Sequence, residues 1–281
     1  MSPGVLSLVL LAALLHAAWN ALVKSGGGDA LSRVVLISVG AGLCAVALLP
    51  FVELPPAASW PYLAGSVLVH QVYFACLVMS YRHGDLSFVY PVARGAAPLL
   101  VAGGAALFAG ETLNAAGLCA VALICGAILM LAGDGRRQGG GGAALGFALG
   151  TGLSIACYTL LDGLGGRAAG RASDYIVYLF ALEWLPVTLY ALLWRGAALR
   201  QGLRRHWRAG LGGGVMSFAA YALVIWAMSR APMSYVSALR ETSVIAAAWI
   251  GARLLAEPVG ARRVLAAVLV AGGVVLLQLT G

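Results

Sequence analysis

Charge is what this sequence has least of. Only 10% of its 281 residues are charged, and the 10 acidic residues are outnumbered by 18 basic ones. A soluble globular protein of this length needs far more polar surface, so that class is excluded. No polar stretch is long enough to form an extramembrane domain, which leaves no place for an ATP-driven motor or a sensory output module. Catalytic signatures are missing as well: there is no Walker A glycine loop, HExxH, GxSxG or carboxylate–histidine cluster at metal-ligand spacing. An intramembrane enzyme is therefore a minor alternative. The five cysteines (Cys44, Cys76, Cys119, Cys125 and Cys157) contain no CxxC pair and all sit in apolar runs. They read as small buried hydrophobes, not as disulfides or metal ligands. Nothing calls for a cofactor or a metal. Alternating strand patterning is also absent, which excludes an outer-membrane barrel.

What the sequence does have is apolar length. Hydrophobic residues make up 62% of it, and a membrane-crossing helix needs about 20 in succession. Ten such runs are predicted, over 3–24, 31–51, 59–82, 85–108, 113–133, 142–163, 173–194, 207–230, 233–255 and 259–279. The fold class is thus all-α, a polytopic membrane protein of ten transmembrane helices in an inner or plasma membrane. Pro3, Pro61, Pro232 and Pro258 fall in first turns, where a missing N–H costs little. Gly26–Gly28 and Gly139–Gly142 mark breaks. The first run has no basic segment before it and reads as a retained helix, not a cleaved signal.

Basic residues are distributed unevenly. Loops after odd-numbered spans hold thirteen: Lys24, Arg33, Arg82, Arg136, Arg137, Arg195, Arg200, Arg204, Arg205, Arg208, Arg253, Arg262 and Arg263. Loops after even-numbered spans hold Arg167, Arg171 and Arg230. The positive-inside rule then puts the odd loops in the cytoplasm and both termini outside. The basic run from Arg195 to Arg208 reads as a loop facing anionic lipid, not as a nucleic-acid site.

The chain also repeats itself. Gly110-Glu111, Leu113 and Gly126–Leu131 recur as Ala256-Glu257, Val259 and Gly272–Leu277. Ser87-Phe88-Val89 and Arg94 recur as Ser234-Tyr235-Val236 and Arg240. Residues 1–137 and 138–281 are therefore expected to be two five-helix units. Internal duplication of this kind is how many transporters build a central site.

Polar groups gather at helical spacing. His16, Trp19, Asn20 and Lys24 share a face of the first span; Ser154, Cys157, Tyr158 and Asp162 repeat the spacing in the sixth. Two readings fit such stripes, a cavity lining or hydrogen-bonded helix contacts. Lys24 and Asp162 also suit helix ends at the headgroups. Arg94 lies nine residues past Asp85, about 14 Å along a helix and near mid-bilayer. Arg240, Glu241 and Glu183 fall at comparable depth. Such charges need partners or a wet cavity, so the alternatives are an internal ion-pair brace or a site that meets carboxylates and amines. Tyr73, Phe74 and Tyr81, Tyr90, Tyr158, Tyr175 and Tyr178, Tyr221 and Trp226, and Trp249 are further candidates for the interior. Of these Tyr90, Tyr158 and Trp226 are favoured as cavity walls, whereas Tyr62, Tyr175, Trp194 and Trp207 suit interfacial belts. His70 joins His16 as a possible proton carrier or helix-contact histidine. Pro91 and Pro98 predict a kink in the fourth span. The fifth and tenth spans read as peripheral supports, and the second is similarly plain.

Together, the ten spans in two halves and the Gly110-Glu111 and Ala256-Glu257 motifs, each before a Gly-marked fifth helix, resemble the drug/metabolite transporter superfamily. The likeness is to tandem EamA-like domains, nearest to YddG-like bacterial amino-acid exporters. It implies inverted repeats around a cavity lined by spans 1, 3, 4, 6, 8 and 9, working by alternating access, with both termini cytoplasmic. The His16–Asn20 segment departs from the Trp-Gly or Trp-Ser opening common in that group. The expected function is a non-enzymatic exporter of small amphipathic metabolites, most simply amino acids. Its cavity residues would be His16, Trp19, Asn20, His70, Tyr73, Tyr81, Tyr90, Arg94, Tyr158, Tyr221, Trp226, Arg240 and Glu241, with His16, Glu183 or Glu241 as proton couplers. Nucleotide sugars, drug cations or other metabolites are the alternative cargo. The partners expected are that solute and the bilayer, with the protein a monomer or, through the Gly146–Gly150 pair or apolar spans 5 and 10, a homodimer.

Overall fold

The computed structural model describes residues 1–25, 30–84, 86–136, 141–254 and 260–280. Gly26–Gly28, Asp85, Arg137, Gly139, Gly140, Ala256, Glu257, Pro258 and Val259 lie outside the described residues. So do the side chains of Lys24, Ser87, Arg136, Arg195, Arg200, Arg204, Arg205 and Arg253. The chain is an all-α membrane protein built from α1 (Pro3–Ser25), α2 (Ala30–Leu48), α3 (Trp60–His83), α4 (Leu86–Phe108), α5 (Ala115–Arg136), α6 (Gly142–Ala168), α7 (Ala172–Met228), α8 (Met233–Arg240), α9 (Ser243–Leu254) and α10 (Ala261–Thr280).

Two elements depart from the ten predicted spans. Helical conformation runs from Ala172 to Met228 without interruption, yet Tyr175 and Tyr221 both donate to the Asp162 carboxylate, at 2.9 and 2.6 Å. A straight helix would hold those tyrosines about 69 Å apart at 1.5 Å per residue. The run must therefore double back. Its apolar stretches Ala172–Trp194 and His206–Met228 form two arms, and Phe180 meets Phe218 across them at 4.9 Å between ring centroids. These arms are the expected seventh and eighth spans.

The ninth span is broken instead of continuous. At the break the Glu241 and Thr242 N–H groups donate three residues back, to Ala238 and Leu239, and the Thr242 hydroxyl also donates to the Leu239 carbonyl at 2.8 Å. A short hydroxyl competing for the backbone ladder tightens the turn and ends α8. Discontinuous helices are where membrane transporters commonly place polar chemistry. By contrast α4 stays helical through Pro91 and Pro98.

Backbones approach closely where side chains are smallest. Gly40 of α2 lies against Gly210 and Gly214 of the second arm, so that a Cβ at Gly214 would fall 2.6 Å from the Gly40 backbone. This is small-residue membrane packing. Gly146 faces open space, whereas Gly150 faces Cys76 of α3. Two aromatic assignments need correction. Tyr175 is fully buried by its bond to Asp162 and is no belt residue, and Trp249 is 59% exposed and points away from the interior. Trp194 and Trp207 are outward-facing, as expected of belts.

The recurring Gly-Glu motif has a structural task in the first half. Gly110 adopts φ +65°, which L-residues with side chains rarely tolerate, and lets the Glu111 N–H return to the Ala105 carbonyl. The Glu111 carboxylate then accepts from the Met233 N–H at the start of α8, at 2.7 Å, and pairs with Arg167 at 2.5 Å. Arg167 in turn donates to the Met228 and Ala231 carbonyls, at 2.9 and 3.0 Å. Negative charge thus meets a helix N-terminus, and positive charge meets the end of the preceding helix. Glu111→Ala should lower the unfolding midpoint in detergent by the equivalent of about 1–2 kcal/mol. Glu111→Gln, which keeps an acceptor, should lose less. An unchanged midpoint for Glu111→Ala would show that the clamp contributes nothing.

Candidate functional site

A cavity of about 270 Å³ lies within the bundle. Its walls come from the C-terminal parts of α1 and α3, the N-terminal parts of α2 and α4, the middle of α6, both arms of α7, and the last residue of α8. The α1 and α2 ends meet at the first interhelical loop, the α3 and α4 ends at the third. The cavity therefore extends from mid-bilayer toward the face that carries the loops after odd-numbered spans. Toward the opposite face Asp162 joins α6 to both arms of α7 through Tyr175 and Tyr221, and the Glu111–Arg167 clamp holds α8.

The cavity brings together twelve of the fourteen predicted cavity and coupling residues: His16, Trp19 and Asn20 from α1, His70, Tyr73 and Tyr81 from α3, Tyr90 and Arg94 from α4, Tyr158 from α6, Glu183 and Tyr221 from α7, and Arg240 from α8. Two others stand outside the lining. Trp226 packs against the apolar core, with the Arg230 guanidinium 5.2 Å from its ring. Glu241 sits behind Arg94. The second span is not plain support, because α2 contributes Arg33, Ser38 and neighbouring apolar residues. Phe180 and Thr151 are further lining groups with no polar stripe to announce them.

Charge in the site is organised in three ways. Arg94 and Glu241 pair bidentately, Nη2 to Oε1 at 2.9 Å and Nε to Oε2 at 3.2 Å, and both are buried. That matches the ion-pair brace for this couple and neutralises it. Arg240, one residue before Glu241 and so turned to another side of the helix, projects into the cavity. Its guanidinium lies 5.3 Å from the Tyr221 ring centroid, and no carboxylate among the described residues reaches ion-pair distance. Glu183, on the first arm, lies 3.5 Å from His70 Nε2. It is the one carboxylate among the described lining residues.

Aromatic rings join these poles. His70 stacks on Tyr158 at 4.2 Å, Tyr158 meets Tyr221 edge-on at 5.7 Å, and Tyr73 meets Tyr158 at 5.6 Å. On α1, His16 packs edge-on against Trp19 at 5.2 Å, and the Asn20 amide nitrogen is committed to the His16 carbonyl at 2.7 Å. The Trp19 indole N–H is buried with no hydrogen-bond partner among the described residues, which leaves a donor at the cavity wall. The result is a small aromatic pocket with, among the described residues, a cation without a carboxylate partner on one wall and a carboxylate on another.

Residues 143–279 match the EamA-like transporter family. The C-terminal half therefore carries an EamA-like transporter domain of the drug/metabolite transporter superfamily. The sequence has no match among curated proteins. One solved crystal structure is similar over 99% of this chain and 98% of its own, with a TM-score of 0.75 and 17% identity. That likeness is one of fold.

Proposed function

We propose that the protein is a secondary transporter that exports small carboxylate-bearing amphipathic metabolites, amino acids foremost, across the bacterial inner membrane by alternating access. The observation that carries this reading is Arg240, a buried guanidinium facing the cavity without a carboxylate partner among the described residues. A charge so placed is costly unless something neutralises it, and its planar fork suits a carboxylate. Arg94 is removed from that role by its bond to Glu241. The cavity volume lies just below the roughly 300–1,000 Å³ of drug-sized sites, which suits an amino acid better than a nucleotide sugar.

Alternating access would come from two five-helix units, 1–137 and 138–281. The family match covers the second, and the recurrence of motifs within the sequence supports the first. The thirteen-to-three bias in basic residues supports a cytoplasmic side for the end of the cavity near the first and third loops, from which cargo would load for export.

Uptake into proteoliposomes tests the proposal. Labelled L-phenylalanine, L-leucine and L-threonine should be exchanged across the membrane, and at least one should compete with the others. If none is transported while a nucleotide sugar or a drug cation is, the amino-acid assignment is wrong.

A further inference from the structure

We propose that Glu183 and His70 form a proton-exchange site at which one proton and the ammonium group of a substrate are mutually exclusive, making the transporter a proton/amine exchanger. This rests on the transport reading above and adds the coupling ion and its place. The first observation is elimination. Both oxygens of Asp162 are held by the Tyr175 and Tyr221 hydroxyls, and both oxygens of Glu241 face Arg94. Among the described residues Glu183 is the one lining carboxylate, and it accepts no hydrogen bond at Oε2, the buried oxygen turned toward His70.

The second observation fixes the imidazole. His70 Nδ1 lies 2.9 Å from the Ser66 carbonyl, which only accepts, so Nδ1 carries a hydrogen and donates. Nε2 is then the nitrogen turned toward Glu183 Oε2 at 3.5 Å. Without a further proton, the Nε2 lone pair would oppose a buried carboxylate. With one proton between them, as imidazolium beside carboxylate or as imidazole beside carboxylic acid, the pair is neutral and attractive. The pair is therefore built to hold one exchangeable proton. Tyr158 stacks on the imidazole at 4.2 Å and holds the ring in place.

The exchange balances. An arriving R–NH3⁺ supplies the positive charge that Glu183 requires. The proton on His70 Nε2 then leaves to cavity water, and no bond in the substrate changes. Other charged and titratable groups around the pair are Asp162 and Tyr158 on α6, Tyr73 on α3, Tyr175 and Tyr221 on α7 and Arg240 on α8. Arg240 holds the substrate carboxylate, and Asp162 is committed to its tyrosines. None of them offers the ammonium a competing free carboxylate.

The test is proton release on binding, read with a pH indicator on purified wild-type protein in weak buffer. The probes are L-phenylalanine, L-leucine, L-threonine and 3-phenylpropionate, which keeps the carboxylate and lacks the amine. Amino-acid binding should release a proton per bound molecule, and its affinity should rise with pH by up to about tenfold per unit. Binding of 3-phenylpropionate should release none and show no such rise. Glu183→Gln should abolish proton release and flatten the pH dependence. The wild-type comparison decides the matter even if that variant fails to fold. Amino acids that bind without proton release would overturn the exchange site and leave the transport reading intact. If no amino acid binds or is transported, both fall.

Discussion

Arg240→Ala is expected to lose amino-acid binding by at least about thirty-fold, the equivalent of roughly 2 kcal/mol, with transport falling in step. The magnitude follows from removing one member of a charge pair that forms, desolvated, only when the solute is bound. Arg240→Lys should recover part of it, since the charge returns without the bidentate fork. Stability should move the other way. In the empty site Arg240 is a mid-membrane cation supported by the Tyr221 ring at 5.3 Å and by no carboxylate among the described residues. Removing it relieves a cost, so the thermal midpoint of Arg240→Ala in detergent should equal or exceed that of the wild type. A variant that is less stable yet transports normally would make Arg240 a structural brace and remove the carboxylate from the site.

The sequence made the helices legible, and with them the depth of the charges, because apolar run length and the spacing of Arg94, Glu183 and Arg240 along it are one-dimensional properties. Pairing is not. Which arginine would be neutralised depended on the break at Glu241-Thr242, which rotates Arg240 and Glu241 toward different neighbours, and on α4 lying beside α8. The signal for the break was only a Thr after two charged residues, too common to be read. Asp162 suited a headgroup position by its place near a helix end. In the structure it is buried, because the turn between the arms of α7 brings Tyr175 and Tyr221 to the same carboxylate. A contact between residues 46 positions apart cannot be found from helical periodicity. Trp226 failed as a wall residue for a related reason: Arg230, in the turn just after the helix that carries Trp226, lies over its ring, and the ring packs against the apolar core. The participation of α2 went unseen because its lining is mostly apolar, with Ser38 and Arg33 as sparse exceptions.

Glu241→Ala should have the largest effect on folding. Arg94 is 5% exposed, and its guanidinium faces the Glu241 carboxylate through Nε, which donates to Oε2, and Nη2, which lies 2.9 Å from Oε1. Deleting the carboxylate strands a buried cation, which typically costs about 3–5 kcal/mol. A steep fall in the detergent unfolding midpoint is the expected result. Replacing both partners, as Arg94→Met with Glu241→Leu, removes the two desolvation costs along with the attraction and should restore most of the lost stability. That double variant also separates two tasks the pair performs in one place. The bond fastens α4 to the junction of α8 and α9, next to the residue that faces the solute. If the pair is only a brace, the double variant should bind and exchange amino acids as the wild type does. If the junction must open and close around the solute, it should bind normally and exchange slowly, because an apolar contact cannot reform with the same geometry on each cycle. A Glu241→Ala protein as stable as the wild type would mean that cavity water solvates Arg94, and the guanidinium would then rejoin Arg240 as a second candidate for the carboxylate.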